Sequence, residues 1–353
     1  MLFLHVLLAM QLATAPEVTP DRQPQLAANG ALVAMVYGNG HSILLRRSTD
    51  SGRTFSAPVL VAQGAVLALG RHRGPRLLFS GKTMIVSAIS GATEQTGAHA
   101  HGLPADGDLL AWRSADGGAT WSKPVVVNDT PGAAREGLHA MTMDGAGHLA
   151  AVWLDLREKG TRLYGAFSND AGATWSKNLL VYQSPDGTIC QCCDPSIVAV
   201  GADEFAVMWR NALGGMRDMY SLHLHNGKVA SEARKIGSGS WKLDACPMDG
   251  GGMVSDHGRL VTAWRRDDRV FLAQAQGAET ELGKGKDVAI AVGKQGAFVA
   301  WVGATGIEIR RPGAASSEWI APSGAFPALA ALDDGSVLVA WEHEGSISTQ
   351  RVE

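Results

Sequence analysis

One short strand pattern recurs along the chain and restricts its fold more than any other feature. It reads LVAMVY (32–37), TMIVSAI (83–89), HLAAVWLD (148–155), EFAVMWR (204–210), RLVTAWR (259–265), AFVAWV (297–302) and VLVAWE (337–342). Each copy follows an apolar strand and a glycine-bearing turn, and leads through a polar loop into a third strand. A unit of this kind cannot bury its apolar face alone, and a radial arrangement leaves only short, protected edges. The repetition therefore predicts one closed all-β domain over residues 16–353, a β-propeller of four-stranded antiparallel blades, seven in number with six as the alternative. The last unit ends at GSISTQRVE after its third strand, so residues 16–24 are expected to supply its fourth strand and lock the ring.

A second signature, S-x-D-x-G-x-T-(W/F), lies between the third and fourth strands of the first three units: STDSGRTF (48–55), SADGGATW (114–121) and SNDAGATW (168–175). Asp50, Asp116 and Asp170 can accept hydrogen bonds from turn amides, and the glycine two residues on can take a positive φ at little cost. Each copy is read as a structural clasp rather than a reactive site. The tryptophans of the second strands alternate with Ala and Val and are expected in the core.

The formal charge is -3, with 18% of residues charged, and no basic run is present, which argues against a nucleic-acid partner. The opening MLFLHVLLAMQLATA is a short apolar run ending in small residues, which predicts a signal peptide over 1–15 and a secreted or periplasmic protein. No later segment reads as a membrane span.

Strand order sorts the loops onto two faces. The clasps fall on one; loops joining blades, and loops between second and third strands, fall on the other. This second rim carries GRHRGPR (70–76), AAREGLH (133–139), TICQCCD (188–194), LDLREKG (154–160), RNALGGMRDMY (210–220), WKLDACPMDGG (241–251) and RRDDR (265–269). Loops on a rigid scaffold commonly carry function, which places the expected site at the mouth of the central channel. Asp155 with Arg157, and the Arg265–Asp268 cluster, are read either as blade-to-blade ion pairs or as ligand contacts. His99 and His101 lie in a long insertion that could form a lid.

The repeats and the S-x-D-x-G-x-T-(W/F) turns resemble the Asp-box (BNR-repeat) propellers of the sialidase superfamily, and within it a secreted bacterial sialidase-like group. The resemblance implies recognition or hydrolysis of a carbohydrate or other anionic ligand. It implies a sialidase set of three arginines for the sugar carboxylate, a tyrosine nucleophile activated by a glutamate, and an aspartic acid. Arg76, one of Arg210 and Arg217, and one of Arg265 and Arg266 could supply the arginines. Tyr220 is the candidate nucleophile, with Glu136 or Glu158 as partner and Asp155 or Asp106 as acid. No tyrosine follows Tyr220, whereas the family keeps its tyrosine near the chain end. The competing class is a noncatalytic propeller that binds a protein partner.

Cys190, Cys192 and Cys193 open the fourth unit and Cys246 opens the fifth. An exported chain with an even cysteine count favours two disulfides, one stapling Cys246 to the triplet. A metal site is the alternative, with the thiols joined by His72, His101 or His139 around zinc or copper, and a thiol redox role is the third reading. Apart from a metal at these cysteine loops, no cofactor is expected. Export predicts a mature chain beginning at Pro16, read as the intact mass of the protein expressed with its leader; a mass retaining residues 1–15 would overturn the assignment.

Overall fold

The computed structural model describes residues 19–97, 100, 102–274 and 278–353. His99 and His101 lie outside the described residues. The chain forms seven antiparallel sheets arranged around a channel. Blade 1 comprises Asp21–Asn29, Leu32–Asn39, Ser42–Ser48 and Val59–Gln63. In blade 2 the inner strand is split into Val66–Leu67 and Arg76–Ser80, both pairing Thr83–Gly91. Inner strands of blades 3 to 7 are His139–Met143, Ser196–Gly201, Gly252–Asp256, Lys286–Gly293 and Ala325–Ala331. Each lies beside the next around the channel, and the seventh lies beside the first. No described helix is long and apolar enough to cross a membrane.

The ring closes differently from the sequence expectation. Residues 21 and 22 pair with Asn39 and Gly38 as the start of the inner strand of blade 1. Blade 7 has three strands among the described residues, ending with Ser346–Val352. Isolated hydrogen bonds join the two blades instead: Gln23 donates to Glu342 Oε1 through its backbone N (2.8 Å) and Nε2 (3.1 Å), and Asp21 N donates to Gly345 O at 3.0 Å. Val33, Leu332 and Leu338 bury between these blades. The N-terminal residues thus complete their own sheet, and there the inner-strand pattern QLAA meets the same pleat as in every other blade.

The clasps form through their own side chains. Asp116 accepts from Thr120 N at 2.9 Å, Thr120 Oγ1 at 2.6 Å and Ser114 Oγ at 2.7 Å, while Ser114 Oγ accepts from Gly118 N at 2.7 Å. Asp50 and Asp170 repeat the pattern.

Trp153, Trp209 and Trp301 are fully buried, and Trp264 and Trp341 nearly so. Gly285, at φ +157, lies so close to Trp301 that a Cβ there would sit 2.2 Å from the ring. Trp301→Ala is expected to cost about 3–5 kcal/mol, and Trp319→Ala on the surface less than about 0.5 kcal/mol. Urea melts of both variants check the pair, and equal losses would contradict the packing described.

Candidate functional site at the channel mouth

A cavity of about 220 Å³ runs along the axis and takes residues from all seven inner strands or the loops leading into them, among them Gln25, His72, Arg76, Asp194, Gly252 and Ala289. Its upper end is organised by one hairpin. Gly70 and Arg73 exchange both backbone hydrogen bonds, at 2.9 and 3.1 Å, around Arg71 (φ 53°) and His72 (φ 67°). Positive φ at both central positions is the type I′ arrangement that usually selects Asn and Gly. Two large side chains hold it here, a strained choice of the kind found where a fold must aim particular groups.

That aim is into the channel. His72 Nε2 lies 2.9 Å from Asp287 Oδ1 of blade 6, and its Nδ1 lies 4.0 Å from Asp194 Oδ1 at the start of blade 4. Its ring meets Phe326 of blade 7 edge-on at 5.1 Å. Arg71 Nη1 lies 3.3 Å from Met248 Sδ of blade 5. Arg73 Nε donates to Glu136 O of blade 3 at 2.6 Å, with Nη2 3.8 Å from its carboxylate. Arg76 Nη2 holds the hairpin from below through His72 O at 2.7 Å.

Burial works against the imidazolium of His72, but the charges of Asp194, Asp287 and Asp249 outweigh it and raise its pKa to about 9. Burial raises the pKa of Asp249, whose carboxylate accepts from Asp287 N at 2.8 Å. Burial also raises the pKa of Glu136, against the pull of Arg73 and Arg135. His139 is fully buried; burial, reinforced by Arg76, holds it well below the ordinary imidazole range, so it is neutral, with Nε2 2.9 Å from Ser87 Oγ.

The cysteine loop sits beside this cluster. Cys190 Sγ lies 3.6 Å from Cys192 Sγ and 3.5 Å from Cys193 Sγ, all three buried. Cys246 is exposed, and none of the four is bonded to another. The expected pair of disulfides, with its Cys246 staple, is therefore corrected: the loop holding Cys246 turns that side chain to the surface and presents Met248 to the triplet instead.

The other predicted residues disperse. Tyr220 lies on the third strand of blade 4, beside Trp209 with ring centroids 6.4 Å apart, and burial raises its pKa. No hydrogen bond or ion pair among the described residues joins it to Glu136, Glu158 or Asp155. Asp155 is buried under Arg157 (2.9 Å) and Trp153 Nε1 (2.8 Å), and Arg157 also reaches Asp129 and Asn178 at 2.8 Å. Asp106 accepts from Ala92 and Thr93 amides, closing its own loop, and Glu158 pairs with Arg162.

Arg210 is buried and donates only to carbonyls, those of Asp249, Arg217 and Arg265, at 2.7 to 3.1 Å. Arg217 contributes to this network through its backbone. Arg265 lies over Trp241 (5.4 Å), and Arg266 pairs bidentately with Glu279 at 2.7 and 2.8 Å. Of the candidate arginines, only Arg76 borders the axial cavity.

Sequence reasoning did not single out Asp194, Asp249, Asp287 or Met248. The available signal was an aspartate shortly before or at the start of three successive inner strands, in CCDPS, PMDGG and GKDVA. His72→Gln should remove a pH dependence. The raised pKa of His72 contributes stability fully present below about 6.5 and lost as pH rises through about 9. Melting temperatures from pH 6 to 10 should fall on the alkaline side for the parent protein and stay flatter for the variant; parallel curves would refute the assignment.

Comparison with known structures finds the same architecture in several solved proteins. An α-L-arabinanase of Penicillium chrysogenum complexed with arabinobiose superposes with a TM-score of 0.55 at 13% identity, covering 95% of this chain and 97% of that one. A family PL25 ulvan lyase gives 0.57 at 10% identity, covering 95% and 94%. The NanB sialidase of Streptococcus pneumoniae gives 0.52 at 10%, covering 95% and 67%. No family model matches the chain, and no curated protein matches it in sequence. At these identities the likeness establishes the fold alone, a seven-bladed β-propeller.

Proposed function

We propose that the chain is an exported carbohydrate-recognising propeller that seats an acidic saccharide on Arg71 at the channel mouth and binds it without sialidase-type turnover. The observation that carries this reading is the strained hairpin, which presents the exposed Arg71 guanidinium at the mouth with only the Met248 sulfur as hydrogen-bond partner among the described residues. A guanidinium with free donors suits a sugar carboxylate or sulfate. Beneath it, His72 and its carboxylates cap the axial cavity, so a ligand rests on the mouth and does not thread the channel. The carbohydrate-active structural neighbours support the ligand class. The absence of a sialidase reaction is supported by Tyr220, held in the body of blade 4 away from Glu136.

Hydrolysis by another route has one observation in its favour: burial raises the pKa of Glu136, as a general acid requires. An array of acidic and neutral oligosaccharides, run beside a fluorogenic sialoside, separates the readings. Acidic glycans should be retained, Arg71→Ala should weaken them by about 10-fold or more, and the sialoside should stay intact. Turnover abolished by Glu136→Gln or Tyr220→Phe would replace binding with catalysis, and an array without signal would overturn the carbohydrate reading.

A further inference from the structure

The carbohydrate reading leaves the three buried thiols without a role. Their sulfurs all lie within 4.8 Å of one another. Thiols kept only for packing sit in apolar surroundings, whereas these sit among guanidinium groups. Arg210 Nε and Nη2 bind the Asp249 carbonyl, in the segment that covers the triplet, and Arg73 projects from the neighbouring hairpin.

A fourth sulfur belongs to the residue that covers the triplet, Met248, whose Sδ also accepts from Arg71 Nη1 at 3.3 Å. Met248 packs against the three cysteines from a backbone held at φ 56°. Two residues on, Gly250 is pressed so close to the cysteine loop that a Cβ there would lie 1.8 Å from Asp194 O, and its amide donates to Asp194 Oδ1 at 3.0 Å. Only glycine permits this approach, and the approach is what carries Met248 over the thiols.

We propose that Cys190, Cys192, Cys193 and Met248 form a binding site for one soft monovalent cation, copper(I). A metal bound to three sulfurs at about 2.3 Å in a trigonal plane holds them about 4.0 Å apart, so the observed 3.5 and 3.6 Å spacings need only open by a few tenths of an ångström. The thioether beside three thiolates suits copper(I) better than zinc, which takes thiolates readily but has little affinity for a thioether. Copper(I) displaces the thiol protons of the three cysteines to solvent, and no electron moves. The net negative charge of the loaded centre is balanced by Arg73 and Arg210. This inference does not rest on the carbohydrate reading.

The test uses the full chain, purified anaerobically with its thiols reduced and titrated with copper(I) against bicinchoninate. One equivalent should be withdrawn from the chelator, and X-ray absorption should show a first shell of sulfur alone. Cys192→Ser or Cys193→Ser should weaken binding about 100-fold and Met248→Leu about 10-fold, with Cys246→Ser unchanged. Should a cysteine variant fail to fold, Met248→Leu and the absorption spectrum decide. No copper withdrawn, a shell containing nitrogen or oxygen, zinc held more tightly than copper(I), or an equal loss in Cys246→Ser would each overturn the proposal.

Discussion

The contact on which the channel depends is the charge-reinforced hydrogen bond between His72 and Asp287. A propeller is a ring of similar sheets, and apolar packing between neighbours does not specify what happens at its axis. Here one two-residue turn from blade 2 crosses the axis and meets blades 3 to 7: Glu136, Asp194, Met248, Asp287 and Phe326 all lie against it. Burying an imidazolium with three carboxylates is favourable only when partners and geometry are fixed together. The hairpin therefore ties the positions of blades far apart in sequence to a single local conformation.

A second device acts between blades 4 and 5. Arg210 is a wholly buried cation with no ion-pair partner among the described residues, and its charge is distributed over backbone carbonyls, two of its bonds going to that of Asp249. Because Asp249 stands between Met248 and Gly250, this clamp fixes the loop that covers the thiols. Arg157 acts comparably at the junction of blades 2 and 3, joining Asp129, Asp155 and Asn178. The arginines that a sialidase would aim at a sugar are here mostly used to hold the scaffold.

Seven blades could be read from seven strand patterns because the period-2 alternation of Val, Ala and Trp is a local property that packing enforces in every unit. The clasps were legible for the same reason: Ser114, Asp116, Gly118 and Thr120 satisfy one another within seven residues. The site was legible only as a rim. Which arginine faces a ligand depends on its neighbours; Arg210, Arg157 and Arg266 are captured by carbonyls or carboxylates from remote segments that no spacing reveals. The hairpin 70–73 was hidden because Arg-His lacks the Asn-Gly signature of its turn type. The cysteine loop gave the proximity of three thiols but not the direction of Cys246, which follows from the fit of Gly250 against Asp194.

The seam between the first and last blades has a mechanical consequence. Gln23 and Glu342, 319 residues apart in sequence, meet across it, and among the described residues no strand is shared between the two blades. Closing the ring therefore brings together the most distant parts of the chain, at an entropic cost set late in folding. Once closed, the seam can open by parting the Gln23–Glu342 contacts and the Asp21 N to Gly345 O bond, while every other blade stays an intact ladder of backbone bonds. The ring behaves less like a welded hoop than like a bracelet with a catch, and the catch lies beside Phe326, where the His72 ring rests.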